Sequence, residues 1–390
     1  MAAAHTVLGS PTDTRYCPLS HYDDKLLKAG HWRRRGRGWE ADPTCANCSL
    51  DTHYALGRRL GKGAFSQVYE CTCRDTGRKF AVKMVDTRRL RTADIVSLRR
   101  EVALTSCIEH PGVCAVFDLF HDASGCTALV QELASAGDLF DRIQKRTCFM
   151  EAPAAAVMAR LLETVAHVHT AGIVHRDIKP ENILCVSDSD DTDLKLTDFG
   201  FAKRVADLTT CDEACGTPQY VAPEIILGQP YGTQVDVWSL GVVAYALLGG
   251  YAPFHAASVQ TLFRSIVRAD YCFHAKFWAH VSVEAKHFIR CMLQPDPAQR
   301  WTAAALLHHP WIAVHAAAPA ALLPPPPPLL ACPAAVAAAE AKEEAAAAAA
   351  VAAAAERCRG RSRAASQMHW LQKVLFGHLR LRRRDPPSIR

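Results

Sequence analysis

The sequence predicts an α+β fold, and three observations carry that expectation. From about Tyr54 to Ile312, short segments rich in Val, Phe and Ala come first and long amphipathic helical stretches follow. At 390 residues and 49% hydrophobic content, the chain is long and apolar enough to bury a sizeable core. Composition then shifts on both sides of this body. Residues 1–51 carry scattered Pro and Gly with no sustained apolar period, 313–356 are rich in Pro and Ala, and 357–390 are strongly basic. Those shifts divide the chain into a poorly ordered arm (1–51), a folded body (52–312), a linker with a helical spacer (313–356) and a basic amphipathic tail (357–390).

Charge and cysteine usage narrow the class. The formal net charge is +6, and the segment Arg357–Arg390 alone holds ten Lys/Arg against the single acid Asp385, so the basic surface is the tail. Sixteen cysteines without a spacing pattern, and no hydrophobic segment at the start, point to a reducing compartment, cytoplasmic or nuclear. The run Ala334–Ala355 is interrupted by Glu340, Lys342, Glu343 and Glu344, which argues against a transmembrane segment. After Pro324–Pro328 it reads as a helical spacer, rising about 1.5 Å per residue. A monomer without a nucleic-acid partner is expected.

In the arm, an RRRGRG run begins at Arg33, and Cys45 and Cys48 form a lone CxxC that lacks the second pair of a zinc site. The first strand of the body ends in LGKGAFSQVYE. Gly61 and Gly63 sit where backbone must pass close to a ligand, Phe65 is at the tip and Val68 lies on the returning strand. The next strand, FAVKMVD, carries Lys83 out of an otherwise apolar pattern, and the helical RREVALTSC offers Glu101 as its partner. Further on, VHRDIKPENIL supplies Arg176, Asp177, Lys179, Glu181 and Asn182, and LTDFGFAK supplies Asp198. A carboxylate that receives a hydroxyl proton, an amide and a second carboxylate that hold a metal, and a cationic clamp are what phosphoryl transfer needs. The acidic DSDDTDLK, from Asp188, has Asp193 at the sixth and Phe199 at the twelfth position of a calcium loop, so it is expected to be a solvated turn.

In this order the motifs resemble the protein kinase family, over about two-thirds of the chain; Ala222-Pro223-Glu224, the DVWSLG at Asp236–Gly241 and Arg300 continue the match. The resemblance implies a bilobal fold, with a small antiparallel β-sheet N-lobe plus the helix of Glu101, a larger mainly helical C-lobe, and ATP in the cleft. It implies Asp177, Lys179 and Asn182 as catalytic residues and Asn182 with Asp198 as Mg²⁺ ligands. ATP would be met by Leu60, Gly61, Lys62, Gly63, Ala64, Phe65, Ser66, Val68, Ala81, Lys83 and Glu101, by the hinge residues Glu132 and Ala134 behind Gln131, and by Asp138 and Asp198. Lys179 and Thr217 are what serine/threonine kinases of the family carry, the Thr217 hydroxyl would bond the Asp177 and Lys179 pair, and Arg300 would pair with Glu224. Asp138 and Glu181 would give the groove acidic walls, which favours protein substrates with arginine upstream of the Ser or Thr. The alternative is an ATP-binding pseudokinase or scaffold that uses its tail for assembly.

Within the family, GKGAFSQV, DFGFAK and CGTPQYVAPE resemble the calcium/calmodulin-dependent kinase group. That likeness directs attention to the tail, where Trp370, Val374 and Leu379 occupy relative positions one, five and ten of a basic amphipathic segment. Residues 366–384 are thus a candidate for calmodulin; an anionic membrane, nuclear import and docking on the catalytic body are the competing readings. Ser366 follows Arg361 and Arg363 and is a candidate autophosphorylation site. In the stretch TTCDEACGTPQY, Thr209 and Thr210 are secondary candidates. The position at which relatives carry an activating threonine is Glu213, whose fixed charge would meet Arg176.

Overall fold

The computed structural model describes residues 30–35, 38–41, 49–62, 66–90, 92–122, 125–207 and 215–315. Chain contacts divide it into two units: the chain up to Glu109 together with Ala115–Leu133, and His110–Cys114 together with the chain from Ala134. The division at Leu133/Ala134 falls within the stretch where the sequence places the hinge.

The first unit is a seven-stranded, wholly antiparallel sheet with one long helix. Its strands are β1 (Gly30–Arg35), β2 (Gly38–Ala41), β3 (Tyr54–Lys62), β4 (Ser66–Cys73), β5 (Lys79–Asp86), β6 (Val116–His121) and β7 (Cys126–Gln131), in the order β2-β1-β6-β7-β5-β4-β3. A single turn, α1 (Leu50–His53), leads into β3, and α2 (Thr92–Ser106) lies between β5 and β6. In α2 the buried residues Leu98, Val102 and Thr105 recur at helical spacing, and Val102 packs with Val116, Leu119 and Leu129 of β6 and β7. Burying side chains of that size contributes roughly 1.5–3 kcal/mol each.

Two strands of this sheet lie inside residues 1–51, which the sequence alone treats as one arm. Local apolar periodicity is absent there because β1 is held by pairing with β6, eighty-odd residues away (Gly30↔His121 through Arg33↔Asp118), and by polar side chains. Asp118 is buried, and its carboxylate accepts from His31 Nε2 (3.1 Å), Arg33 Nε (3.1 Å) and the Tyr54 hydroxyl. Burial pushes the Asp118 pKa up, but those bonds outweigh it and hold it below its ordinary value.

The second unit is mainly helical. Its elements are α3 (Leu139–Arg146), α4 (Glu151–Thr170), β8 (Ile173–Val174), β9 (Ile183–Cys185), β10 (Leu194–Leu196), β11 (Lys203–Arg204), α5 (Pro223–Ile226), α6 (Gln234–Gly249), α7 (Val259–Val267), α8 (Ala275–Trp278), α9 (Val283–Met292), α10 (Ala303–Leu306) and α11 (Pro310–His315). Helix α6 is buried nearly all round. At the start of α4, Glu151 accepts from Ser282 N (2.7 Å), Ser282 Oγ (2.6 Å) and Trp311 Nε1 (2.8 Å), tying α4 to α9 and α11. Helix α11 continues to His315, three residues past the predicted end of the body at Ile312. The acidic turn between β9 and β10 is anchored, since Arg142 bonds Asp191 (2.8 Å) and the Ser187 carbonyl (2.6 Å).

Candidate active site

In the first unit, β5 alternates so that Phe80 and Val82 are buried while Lys83, between Val68 and Leu129 in register, projects to α2. There its ammonium bonds the Glu101 carboxylate at 2.7 Å, with 18% and 9% of the two side chains exposed. Leu60, Gly61 and Lys62 end β3, Ser66 opens β4, and Gly61 pairs with Val68. Ala81 is buried opposite Gln131. Glu132 donates its backbone N–H to the Ala115 carbonyl (2.8 Å) and accepts from Ala115 N through its carboxylate (3.3 Å). Gly63, Ala64 and Phe65 lie outside the described residues.

In the second unit the loop from His175 to Asn182 concentrates the polar chemistry. Asp177 is buried and its carboxylate collects four donors. Oδ1 accepts from Thr217 N and Thr217 Oγ1, both at 2.9 Å, and Oδ2 accepts from Lys179 Nζ (2.7 Å) and Asn182 Nδ2 (3.1 Å). Lys179 also donates to Thr217 Oγ1 at 2.8 Å, closing a ring of three side chains. Burial disfavours the Lys179 ammonium, but the field of Asp177, with Glu181 and Asp198, outweighs it and raises its pKa. Beside the ring, Gly216 has φ +98, and a Cβ there would stand 2.7 Å from the Arg176 carbonyl, so this approach requires glycine.

The loop is held from below by α6. Asp236, fully buried, accepts from His175 N (2.9 Å), Arg176 N (2.8 Å) and His169 Nε2 (2.9 Å). Burial alone would raise its pKa; the His169 bond, the charge of the two histidines and the His175 amide more than offset that, and the net shift is downward. These bonds fix Arg176 in the left-handed region at φ 68, and its guanidinium donates to the Phe201 carbonyl (2.6 Å) and the Tyr231 hydroxyl (2.8 Å). The sequence motifs alone assign no role to Asp236 or Tyr231; the acid opening an otherwise apolar helix is the available signal for the first.

Asn182 uses its Nδ2 for both of its bonds, to the Asp177 carbonyl (2.8 Å) and carboxylate, which leaves the amide oxygen for a cation. Asp198 sits in the left-handed region at φ 63, a costly conformation for a residue with a side chain. An amide oxygen and a carboxylate are hard donors that fit Mg²⁺. Asp138 caps α3 by accepting from Asp141 N at 2.9 Å, and Ala134 opens the second unit.

Glu181 stands apart from these satisfied groups. Its Oε2 is buried with no hydrogen-bond partner among the described residues, and burial pushes its pKa up. Glu224 and Arg300 form a buried pair with bonds of 2.7 and 3.0 Å, as the resemblance implies. Glu213, Thr209, Thr210, Ser366, Trp370, Val374 and Leu379 lie outside the described residues.

Among the described residues one cluster, His287, Cys291 and His309, has the composition of a metal site. Trp311 N donates to His309 Nδ1 (3.1 Å), which leaves the ring proton on Nε2, facing His287 Nδ1 at 2.8 Å. Burial, with His287 second, lowers the His309 pKa to about 4. His309 Nε2 therefore donates to His287, and the ligand position of His309 that faces the cluster is occupied by its own proton.

Comparison with known proteins adds to this geometry. Residues 54–312 match the family model described as "Protein kinase domain". The chain is 39% identical over 272 residues to a probable myosin light chain kinase of Dictyostelium discoideum, covering 70% of this chain and 78% of that one. It is 41% identical over 264 residues to calcium/calmodulin-dependent protein kinase type 1B of Homo sapiens (68% and 76%) and 38% identical over 286 residues to calcium/calmodulin-dependent protein kinase type 1 of Caenorhabditis elegans (73% and 80%).

Proposed function

The chain belongs to the protein kinase family, in its calcium/calmodulin-dependent group, and for this serine/threonine kinase using ATP with Mg²⁺ we propose selectivity for arginine upstream of the phosphorylated residue. The observation that supports this is the unpartnered buried Glu181 oxygen. A buried carboxylate oxygen without a donor costs free energy, and an arriving guanidinium would supply the missing donor and add positive charge to that of Lys179. Replacing Glu181 by Gln keeps the shape and removes the charge. With matched peptides carrying Arg or Ala upstream of Ser, the wild type is expected to prefer Arg by tenfold or more in kcat/KM, and Glu181→Gln to bring the ratio near one. An Arg preference that survives in Glu181→Gln would contradict the reading.

In this reading Asp177 orients the substrate hydroxyl and receives its proton, its carboxylate held in place by four donors. Lys179 meets the charge that develops on the transferred group, and Thr217 keeps Asp177 and Lys179 in register. Lys83, aimed by Glu101, takes the phosphates of ATP. Asn182 and Asp198 would hold Mg²⁺, which neutralises phosphate charge when bound.

We further propose that residues 366–384 bind calmodulin and that Glu213 makes an upstream kinase dispensable. The basic amphipathic spacing of the tail and the relatives named as calcium/calmodulin-dependent kinases support the first. The existing tethers of Arg176 to Phe201 and Tyr231 support the second. The check is the initial rate of phosphatase-treated protein with and without Ca²⁺/calmodulin, for the full chain and for one ending after His315. The full chain is expected to be activated severalfold and the shortened chain to be active throughout. Equal rates in all four arms would remove calmodulin control, and loss of activity after phosphatase would remove the role of Glu213.

A further inference from the structure

The hairpin β1–β2 precedes the region matched by the family model, which starts at residue 54, yet it completes the first unit's sheet. Its contacts converge on the support of one helix. On one face of β1, His31 and Arg33 bond the buried Asp118 of β6, and His31 stacks on Phe120 with ring centroids 4.2 Å apart. On the other face, Arg34 reaches the Ile108 carbonyl and the Glu109 carboxylate, each at 3.5 Å, in the connection that joins α2 to β6. Strand β6 in turn packs on α2 through Val116 and Leu119 against Val102, the residue next to Glu101. The edge of β6 and the C-terminal exit of α2 are thus both held by residues 31–34.

We propose that the β1–β2 hairpin positions α2 for the Lys83–Glu101 pair, with His31 and Arg34 as positioning residues that act through β6 and the α2–β6 connection. Without the hairpin, β6 is an edge strand with a buried carboxylate that loses two of its three donors, and the surface carrying Val102 is no longer fixed from outside. Packed cores transmit such a loss as a shift between discrete arrangements, and here the sensitive readout is a single ion pair at 2.7 Å. The inference rests on the role proposed above for Lys83 and Glu101.

A double-mutant cycle in the full-length chain tests it. His31→Ala, His31→Gln and Arg34→Ala are each measured with Glu101 and with Glu101→Gln, reading kcat and KM for ATP. Glutamine places an amide near the position of His31 Nε2, so it can still donate to Asp118. His31→Ala is expected to lower kcat/KM for ATP about three- to tenfold, His31→Gln to restore it to within twofold, and Arg34→Ala to lower it two- to threefold. In the Glu101→Gln background these losses are expected to vanish, because the contact they act through is already gone. Equal losses in both backgrounds, or no loss from His31→Ala with Glu101 intact, overturn the proposal. If His31→Ala does not fold, Arg34→Ala carries the cycle, with the same two outcomes deciding it. A Glu101→Gln variant with wild-type kinetics would instead sink the role of the Lys83–Glu101 pair, and this proposal with it.

Discussion

Under the proposed arginine selectivity, Glu181 is a residue that weakens the fold and serves recognition. Its carboxyl pKa is raised, so in the folded protein the neutral form is favoured; this contribution to stability is present below the unfolded pKa and is lost as pH rises through the raised folded value. Above the raised folded value the ionised group therefore opposes folding, and Glu181→Gln is expected to melt no lower than the wild type. Recognition of arginine needs the ionised form. The Arg/Ala peptide ratio should accordingly be full above the raised Glu181 value and fall as pH drops through it, at a pH above the ordinary 4.5, while Glu181→Gln shows a flat ratio. A ratio in the wild type that stays flat as pH falls through the carboxylate range would leave the raised carboxyl without a part in selection. Lys179 is the counter-example at the same scale, since three carboxylates more than repay its burial and keep it charged.

At the scale of elements, helix α6 explains why the loop around Asp177 is rigid. Asp236 carries the backbone of His175 and Arg176 on its carboxylate, and its pKa is depressed, so its stabilisation is present above the unfolded pKa and lost as pH falls through the folded value. Asp236→Asn puts an amide where two N–H groups already point. It should cost about 2–4 kcal/mol of stability, read by denaturant unfolding, and lower kcat more than KM. Unchanged stability would mean that α6 does not carry the loop. The elements also differ in how far they could be read. Strand β5 and helix α2 announced themselves because Lys83 broke an apolar alternation and Glu101 sat on a helical period. Strand β1 did not, because its pairing partner is far along the chain and its buried residues, His31 and Asp118, are polar. The loop residues Asp177, Lys179 and Asn182 are legible as residue types at fixed spacing, whereas the ring that Asp177 and Lys179 make with Thr217, forty residues away, is legible only through the family resemblance, which the structure bears out.

Over the whole molecule, the sequence carried the α+β class and the order of motifs, and the comparisons place the chain among the protein kinases. What the sequence could not carry were long-range polar contacts: Asp236 under the catalytic loop, Tyr231 on Arg176, and the Asp118 cluster that brings part of the expected arm into the sheet. Each is a buried charge or donor satisfied by a distant residue, and no local period encodes such a pairing. The two units contribute different parts, the Lys83–Glu101 pair in one and the Asp177, Lys179, Asn182 and Asp198 group in the other. Phosphoryl transfer from Mg-ATP to Ser and Thr is the activity on which these roles depend. It is tested most directly by the initial rate of phosphoryl transfer from Mg-ATP to matched Ser, Thr and Tyr peptides, for the wild type and for Asp198→Ala. The expected result is transfer to Ser and Thr but not Tyr, falling at least a hundredfold in Asp198→Ala; nucleotide binding without transfer in the wild type, or equal rates in the two proteins, would contradict it.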